Sequence, residues 1–177
     1  MGQHDTTANL AGSQQFLTFS LSGEMFGVGI LTVKEIIEYG SVTEIPMVPA
    51  FICGVINLRG AVVPVIDLAA RFGNTPTIPS RRTCIIILEI RHEDSCQTLG
   101  VLVDSVSAVL DIPSSEIEPP PAFGARIRAD FIVGMGKVDG HFVILLDIER
   151  VLSVDEIATL ASLGEHDNID TTSVSTL

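Results

Sequence analysis

The sequence predicts a mainly β protein, organised as two small, closed or nearly closed barrels in tandem with short helical segments between strands. Three observations carry that prediction. A stretch over residues 54–68, Gly-Val-Ile-Asn-Leu-Arg-Gly-Ala-Val-Val-Pro-Val-Ile-Asp-Leu, returns in degraded form eighty residues on as Gly-Met-Gly-Lys-Val-Asp-Gly-His-Phe-Val-Ile-Leu-Leu-Asp-Ile. The apolar runs are of strand length and punctuated by turn residues every eight to twelve positions or so, which is the spacing of an all-β chain. The 46% hydrophobic content is drawn from Val and Ile, with aromatics at 5%, and β-branched side chains suit a pleated surface.

Taken in order, residues 1–15 are small and polar and are expected to form a disordered tail. Residues 16–21 alternate like a half-buried strand, and Ser22-Gly23-Glu24 turns them into a second strand over 25–29. Residues 30–37 mix signals: Ile30, Val33, Ile36 and Ile37 fit one helical face, yet β-branching favours extension. A short helical turn followed by a strand reconciles the two. Gly40-Ser41 breaks it, and 42–45 is expected to resume as a strand ended by Pro46 and Pro49. A hairpin over 51–68 ends in a helical turn near 68–72, and 73–82 links the copies.

The second copy opens with a run of apolar residues, 84–88, whose continuity implies burial on both faces. Each copy is marginal alone, so this run is expected to pack between the lobes. A polar tip at 91–97, strands over 99–103 and 106–112, and a proline-rich surface loop to about 129 follow. The second hairpin occupies 131–148, with closing helical segments at 149–151 and 154–163 and a disordered tail over 164–177. The domain is thus expected over 16–163, its first barrel near 16–82 and its second near 83–163, with exchange of elements between them allowed.

Composition excludes several functions. No apolar run approaches the ~18 residues of a membrane span, the first residues lack a secretory signal, and a soluble chain is expected. Met1-Gly2 with Thr6 matches a permissive acylation pattern, for which a polar tail is the plainer account. A net charge of −12 with scattered basic residues argues against a phosphate-backbone partner. Three cysteines (Cys53, Cys84, Cys96) without CxxC spacing suit a reducing cytoplasm. His4, His92, His141 and His166 have no second ligand at metal spacing, so no metal site and no cofactor is expected. Gly27-Val-Gly29 and Gly134-Met-Gly136 complete no dinucleotide fingerprint.

Asp67 and Asp147 are equivalent by the repeat, as a two-lobed aspartate hydrolase would require. Neither carries the Asp-Thr/Ser-Gly turn of that chemistry, and each ends a strand before a helical segment, so an N-cap is the better reading. What remains is a break in the symmetry. Arg59 has Asp139 as its counterpart, and Glu35 has Ala108. Pairing Glu35 with Arg59 beside a groove between the lobes, with the equivalent Val33 and Val106 as its walls, would make a receptacle for an amphipathic helix.

At these residues the chain closely resembles the CheW family of bacterial chemotaxis. The resemblance is carried by Phe51-Ile-Cys-Gly-Val-Ile-Asn-Leu-Arg-Gly, Val63-Pro-Val-Ile-Asp-Leu, Gly100-Val-Leu-Val-Asp-Ser-Val and Leu145-Leu-Asp-Ile, and covers about residues 16–163. It implies two SH3-like five-stranded β-barrels and a cytoplasmic, non-catalytic adaptor at receptor arrays. Such an adaptor joins the helical hairpin tip of chemoreceptors to the regulatory domain of the CheA histidine kinase, and meets further copies of itself in array rings. Receptor-contact positions of the family fall on Val33, Glu35, Gly54, Arg59, Cys84, Val106 and Val109; Cys84 departs from the β-branched residue more usual there. Kinase contact belongs to an end of the first barrel, and Tyr39, Val42 and Ile45 are the apolar side chains of the otherwise polar 38–45 stretch. A CheW-like coupler of a non-flagellar array, driving pili or gene expression, is the alternative within the family.

Overall fold

The computed structural model describes residues 13–92, 94–120 and 129–152. Its strands are β1 (Ser13–Leu21), β2 (Glu24–Gly29), β3 (Val33–Glu38), β4 (Ile52–Leu58), β5 (Ala61–Asp67), β6 (Cys84–His92), β7 (Ser95–Val103), β8 (Ser105–Pro113), β9 (Ile117–Glu118), β10 (Ile132–Val138) and β11 (His141–Leu146). Two single-turn helices, α1 (Leu68–Arg71) and α2 (Ile148–Val151), follow β5 and β11. The segment read as helical turn then strand is a 3-10 turn, Ile30–Thr32, running into β3.

Pairing shows what the duplication builds. One sheet has the order β3-β6-β7-β5-β4 and the other β8-β1-β2-β11-β10-β9. The first unit (β1 to β5) and the second (β6, β7, β8, β10, β11) are equivalent strand for strand. Each barrel therefore takes its first two strands from the other unit. The expected boundary at 82/83 does not divide the barrels: β1 and β2 belong to the second, β6 and β7 to the first. The exchange is sealed by the one parallel pairing in each sheet, β5 with β7 and β2 with β11.

Closure follows the same rule twice. Beyond β3, Thr43 bridges to Val55 of β4 through two backbone hydrogen bonds of 2.8 and 2.9 Å; beyond β8, β9 pairs with Met135 and Gly136 of β10. The strand expected over 42–45 is reduced to that single bridge. Gly54 is what permits it: at φ 150 it lies under the Thr43 carbonyl, whose oxygen would stand 2.0 Å from a Cβ. At its equivalent Gly134 a Cβ would stand 2.6 Å from an Ile117 methyl and 3.0 Å from the Glu118 carbonyl oxygen. The tight turns Ser22-Gly23, Arg59-Gly60 and Asp139-Gly140 have both residues at positive φ, as two-residue hairpin loops require.

Three apolar clusters result. Ile56, Val63, Val65, Ile85, Ile87 and Leu102 fill the first barrel, and Phe16, Ile112, Val143 and Leu145 the second. The largest lies between the barrels, with Leu17, Phe19, Phe26, Ile66, Ile86, Leu88, Val101 and Leu146 among its members. Strand β6 feeds both layers: Ile85 and Ile87 point into the first barrel, Ile86 and Leu88 into the seam, as the unbroken apolar run anticipated. At the pseudo-twofold axis the guanidinium of Arg71 lies between the equivalent rings of Phe51 and Phe131, 5.2 and 5.0 Å from their centroids. Its Nε donates to the carbonyl of Val151 at 2.9 Å.

Several edges differ from expectation. β1 begins at Ser13, because residues 13–15 pair with 111–113 of β8. The polar tip at 91–97 is shorter than read: β6 and β7 continue to His92 and Ser95. The segment 154–163, both outer tails (1–12 and 164–177) and the loop over 121–128 lie outside the described residues.

Candidate functional site

The two edge strands β3 and β8 carry most of the predicted receptor positions, and a β-bulge in each decides which way they face. Register slips at Lys34, between Val33↔Leu88 and Glu35↔Ile87, and at Ser107, between Phe19↔Val106 and Thr18↔Ala108. Directly opposed residues in an antiparallel pair share a face, and a bulge inserts one residue without inverting the rest. Val33 and Ile36 (opposite Leu88 and Ile86) therefore face the seam, as do Val106 and Val109 (opposite Phe19 and Leu17). Glu35 and Ile37, opposite Ile87 and Ile85, face the interior of the first barrel.

This corrects the expected groove. The space between the lobes is filled by the chain's own side chains, and Val33, Val106 and Cys84 are half-buried against that core. What the seam offers a partner is its margin, where the equivalent residues Ile36 and Val109 remain 42% and 48% exposed. Leu31, in the 3-10 turn before β3, is 97% exposed beside it in sequence. Ile36 and Leu31 were not among the predicted contacts; the i, i+3 spacing of Val33 and Ile36 held the signal, read as helical when its cause is the bulge.

Glu35 and Arg59 do pair. The guanidinium donates to both carboxylate oxygens, one bond measuring 3.3 Å. A fork-to-fork geometry of this kind fixes orientation as well as distance. The hydrogen bond to Arg59 holds the Glu35 carboxyl below its usual range, with the adjacent positive charge adding to it, and Glu35 raises Arg59 in turn. The pair spans the mouth of the first barrel, on the opposite face of β3 from Val33. Arg59 also occupies the first position of its turn at φ 50, a conformation that Gly, Asn or Asp adopts with less strain. The side chain, not the turn, accounts for an arginine there.

The remaining predicted positions separate by role. Gly54 is buried and explained by barrel closure. Cys84 donates its thiol to the Arg82 carbonyl at 3.3 Å. Cys53 is the bulged residue of β4, where burial, with the charge of Asp67, pushes its thiol up to about 12. Among the predicted kinase positions, Val42 packs against the interior of the first barrel and Ile45 is half-buried, whereas Tyr39 is exposed, its backbone N–H held by the Thr83 carbonyl at 3.1 Å. Met47, in the turn after Pro46, is fully exposed at φ 60. A strained backbone presenting a large apolar side chain is a contact candidate, and a proline followed by an apolar residue before Pro49 was its only trace in sequence.

Asp67 accepts hydrogen bonds from the backbone N–H groups of Ala69 and Ala70 and from Thr77. Asp147 accepts from the Arg150 N–H and pairs with its guanidinium at 3.4 Å. Both cap helices. Among the described residues no three His, Cys, Asp or Glu side chains gather as metal ligands, and no helix is long and apolar enough to cross a membrane.

Fold and site together define a two-barrel module with strands exchanged between halves. The family model of the CheW-like domain matches residues 15–156, and the chain belongs to that family. It is 37% identical to a chemotaxis protein CheW of Klebsiella aerogenes over 163 residues, covering 90% of this chain and 96% of the relative. The protein FrzA of Myxococcus xanthus is 29% identical over 141 residues, 78% of this chain and 85% of that one. Among solved structures, the scaffolding protein TtCheW of Thermoanaerobacter tengcongensis superposes with a TM-score of 0.72 at 38% identity, over 81% of this chain and 90% of its own.

Proposed function

We propose that this chain is a non-catalytic adaptor coupling the cytoplasmic hairpin tips of chemoreceptors to a CheA-type histidine kinase at arrays beneath the inner membrane. The observation that carries the reading is the seam margin. Two equivalent apolar residues, Ile36 and Val109, stay exposed beside half-buried Val33 and Val106, and exposed apolar side chains of this kind suit the apolar face of a partner helix. Around the edge of β3 the Glu35–Arg59 pair supplies a fixed polar rim, which sets register more than affinity. Tyr39 and Met47, exposed beyond the far end of β3, are the proposed kinase contacts, with Val42 and Ile45 supporting them from within. A scaffold needs no reacting group, and the use of Asp67 and Asp147 as helix caps supports an adaptor over a hydrolase.

Reconstitution tests the reading: purified chain, kinase and receptor in membranes, with kinase autophosphorylation followed as receptor ligand is added. The intact chain makes autophosphorylation ligand-dependent, and Val109→Asp removes that dependence without unfolding the protein. A kinase that ignores receptor ligand in the presence of the chain would overturn the proposal.

A further inference from the structure

The pseudo-twofold relates the mouth of the first barrel, capped by Glu35 and Arg59, to a mouth in the second that has no cap. The opposed pair Glu35↔Ile87 becomes Ala108↔Thr18, and Arg59 becomes Asp139 at the same turn. Two side chains that fill the first mouth are thus replaced by small ones, and the bridging cation by a carboxylate. The result is a recess of about 670 Å³ opening between the β1–β2, β8 and β10–β11 edges. Met25, Ala108, Leu110, Val138 and Phe142 supply its apolar lining, Phe142 being 48% exposed. The Thr18 hydroxyl in its wall is satisfied, donating to the Ala108 carbonyl at 2.9 Å, so the wall presents no unmet polar demand. Glu24, Asp139 and His141 stand at the rim, and among the described residues no Lys or Arg lines it.

We propose that this mouth is a third docking site, separate from the seam margin and from the Tyr39 end, for a partner segment that inserts a large apolar side chain flanked by Lys or Arg. The volume is that of an ordinary ligand pocket. The rim charge selects the flanking residues, and its sign is opposite to that of Arg59 at the equivalent place, so one partner surface cannot serve both mouths. This inference stands apart from the receptor and kinase reading.

Methionine methyl NMR on the full chain tests it, because Met25 and Met135 line the recess while Met47 lies exposed elsewhere. The probe is a twelve-residue helical peptide of Leu and Lys, with a Leu/Glu peptide of the same pattern beside it. Saturable shifts of Met25 and Met135 with the basic peptide, and none with the acidic one, are expected. Ala108→Phe and Ala108→Met, each checked for a native methyl spectrum, should abolish those shifts by filling the mouth. Glu24→Gln with Asp139→Asn should weaken binding about threefold or more. Shifts confined to Met47, equal response to both peptides, or undiminished binding by the filled variants would each overturn the proposal.

Discussion

The two barrels share a frame and differ at their mouths. On the seam side the units match closely: Val33 with Val106, Ile36 with Val109, the Lys34 bulge with the Ser107 bulge. On the interior side the first barrel has Ile87 beneath a Glu35–Arg59 bridge, and the second has Thr18 and Ala108 beneath Asp139. Backbone and seam obey the twofold because each must satisfy the same hydrogen-bond and packing demands twice. The mouths are free of that constraint, since nothing in the other barrel has to fit them. At the mouths, departures from internal symmetry therefore mark where side chains are free to serve something outside the fold.

Substitutions break or sharpen this comparison. The largest effect is expected at Gly54→Ala, whose methyl would collide with the Thr43 carbonyl. Thermal unfolding should show a loss of about 3 kcal/mol or more, while Gly134→Ala, meeting a movable Ile117 methyl group first, should lose less. Equal losses would mean that the Ile117 methyl cannot give way and that Gly134 is held as tightly as Gly54. Next comes Arg59→Glu, which should abolish receptor pull-down while leaving Tm within about 2 °C, because exposed pairs add little to stability. Glu35→Arg combined with Arg59→Glu should recover part of the binding, and no recovery would separate the two side chains' roles. Arg71→Ala, which empties the space between the Phe51 and Phe131 rings, should cost about 1–2 kcal/mol by chemical denaturation.

The smallest effect is a titration. The Glu35 carboxyl is depressed by Arg59, so its pairing is present at neutral pH and fades as pH falls through the lowered folded value. Carbon-detected NMR should place its midpoint below that of a free glutamate side chain, and Arg59→Ala should return it upward. A midpoint unmoved by that change would assign the depression to another cause.

Duplication was legible because glycines, turn residues and the Asp caps recur at fixed offsets, each for a local backbone reason. The Glu35–Arg59 pair was legible for a different reason, as a break in that pattern. Strand exchange was not, since two contiguous barrels and two exchanged ones satisfy the same local preferences and differ only in long-range pairing. The bulges hid the facing of β3: one inserted residue turns a period of two into an apparent i, i+3 spacing at Val33 and Ile36. The unbroken run over 84–88 announced burial on both faces, but not that one neighbour would be the barrel interior and the other a seam closed to partners.

Because β1 and β2 complete one barrel and β6 and β7 the other, neither half of the chain owns a finished barrel. A nick between residues 73 and 82 would leave two fragments, each carrying the strands its counterpart lacks, so that only their reunion restores either hydrogen-bonded rim. The two lobes are therefore tied together twice over, by the covalent chain that crosses between them and by the apolar cluster they share.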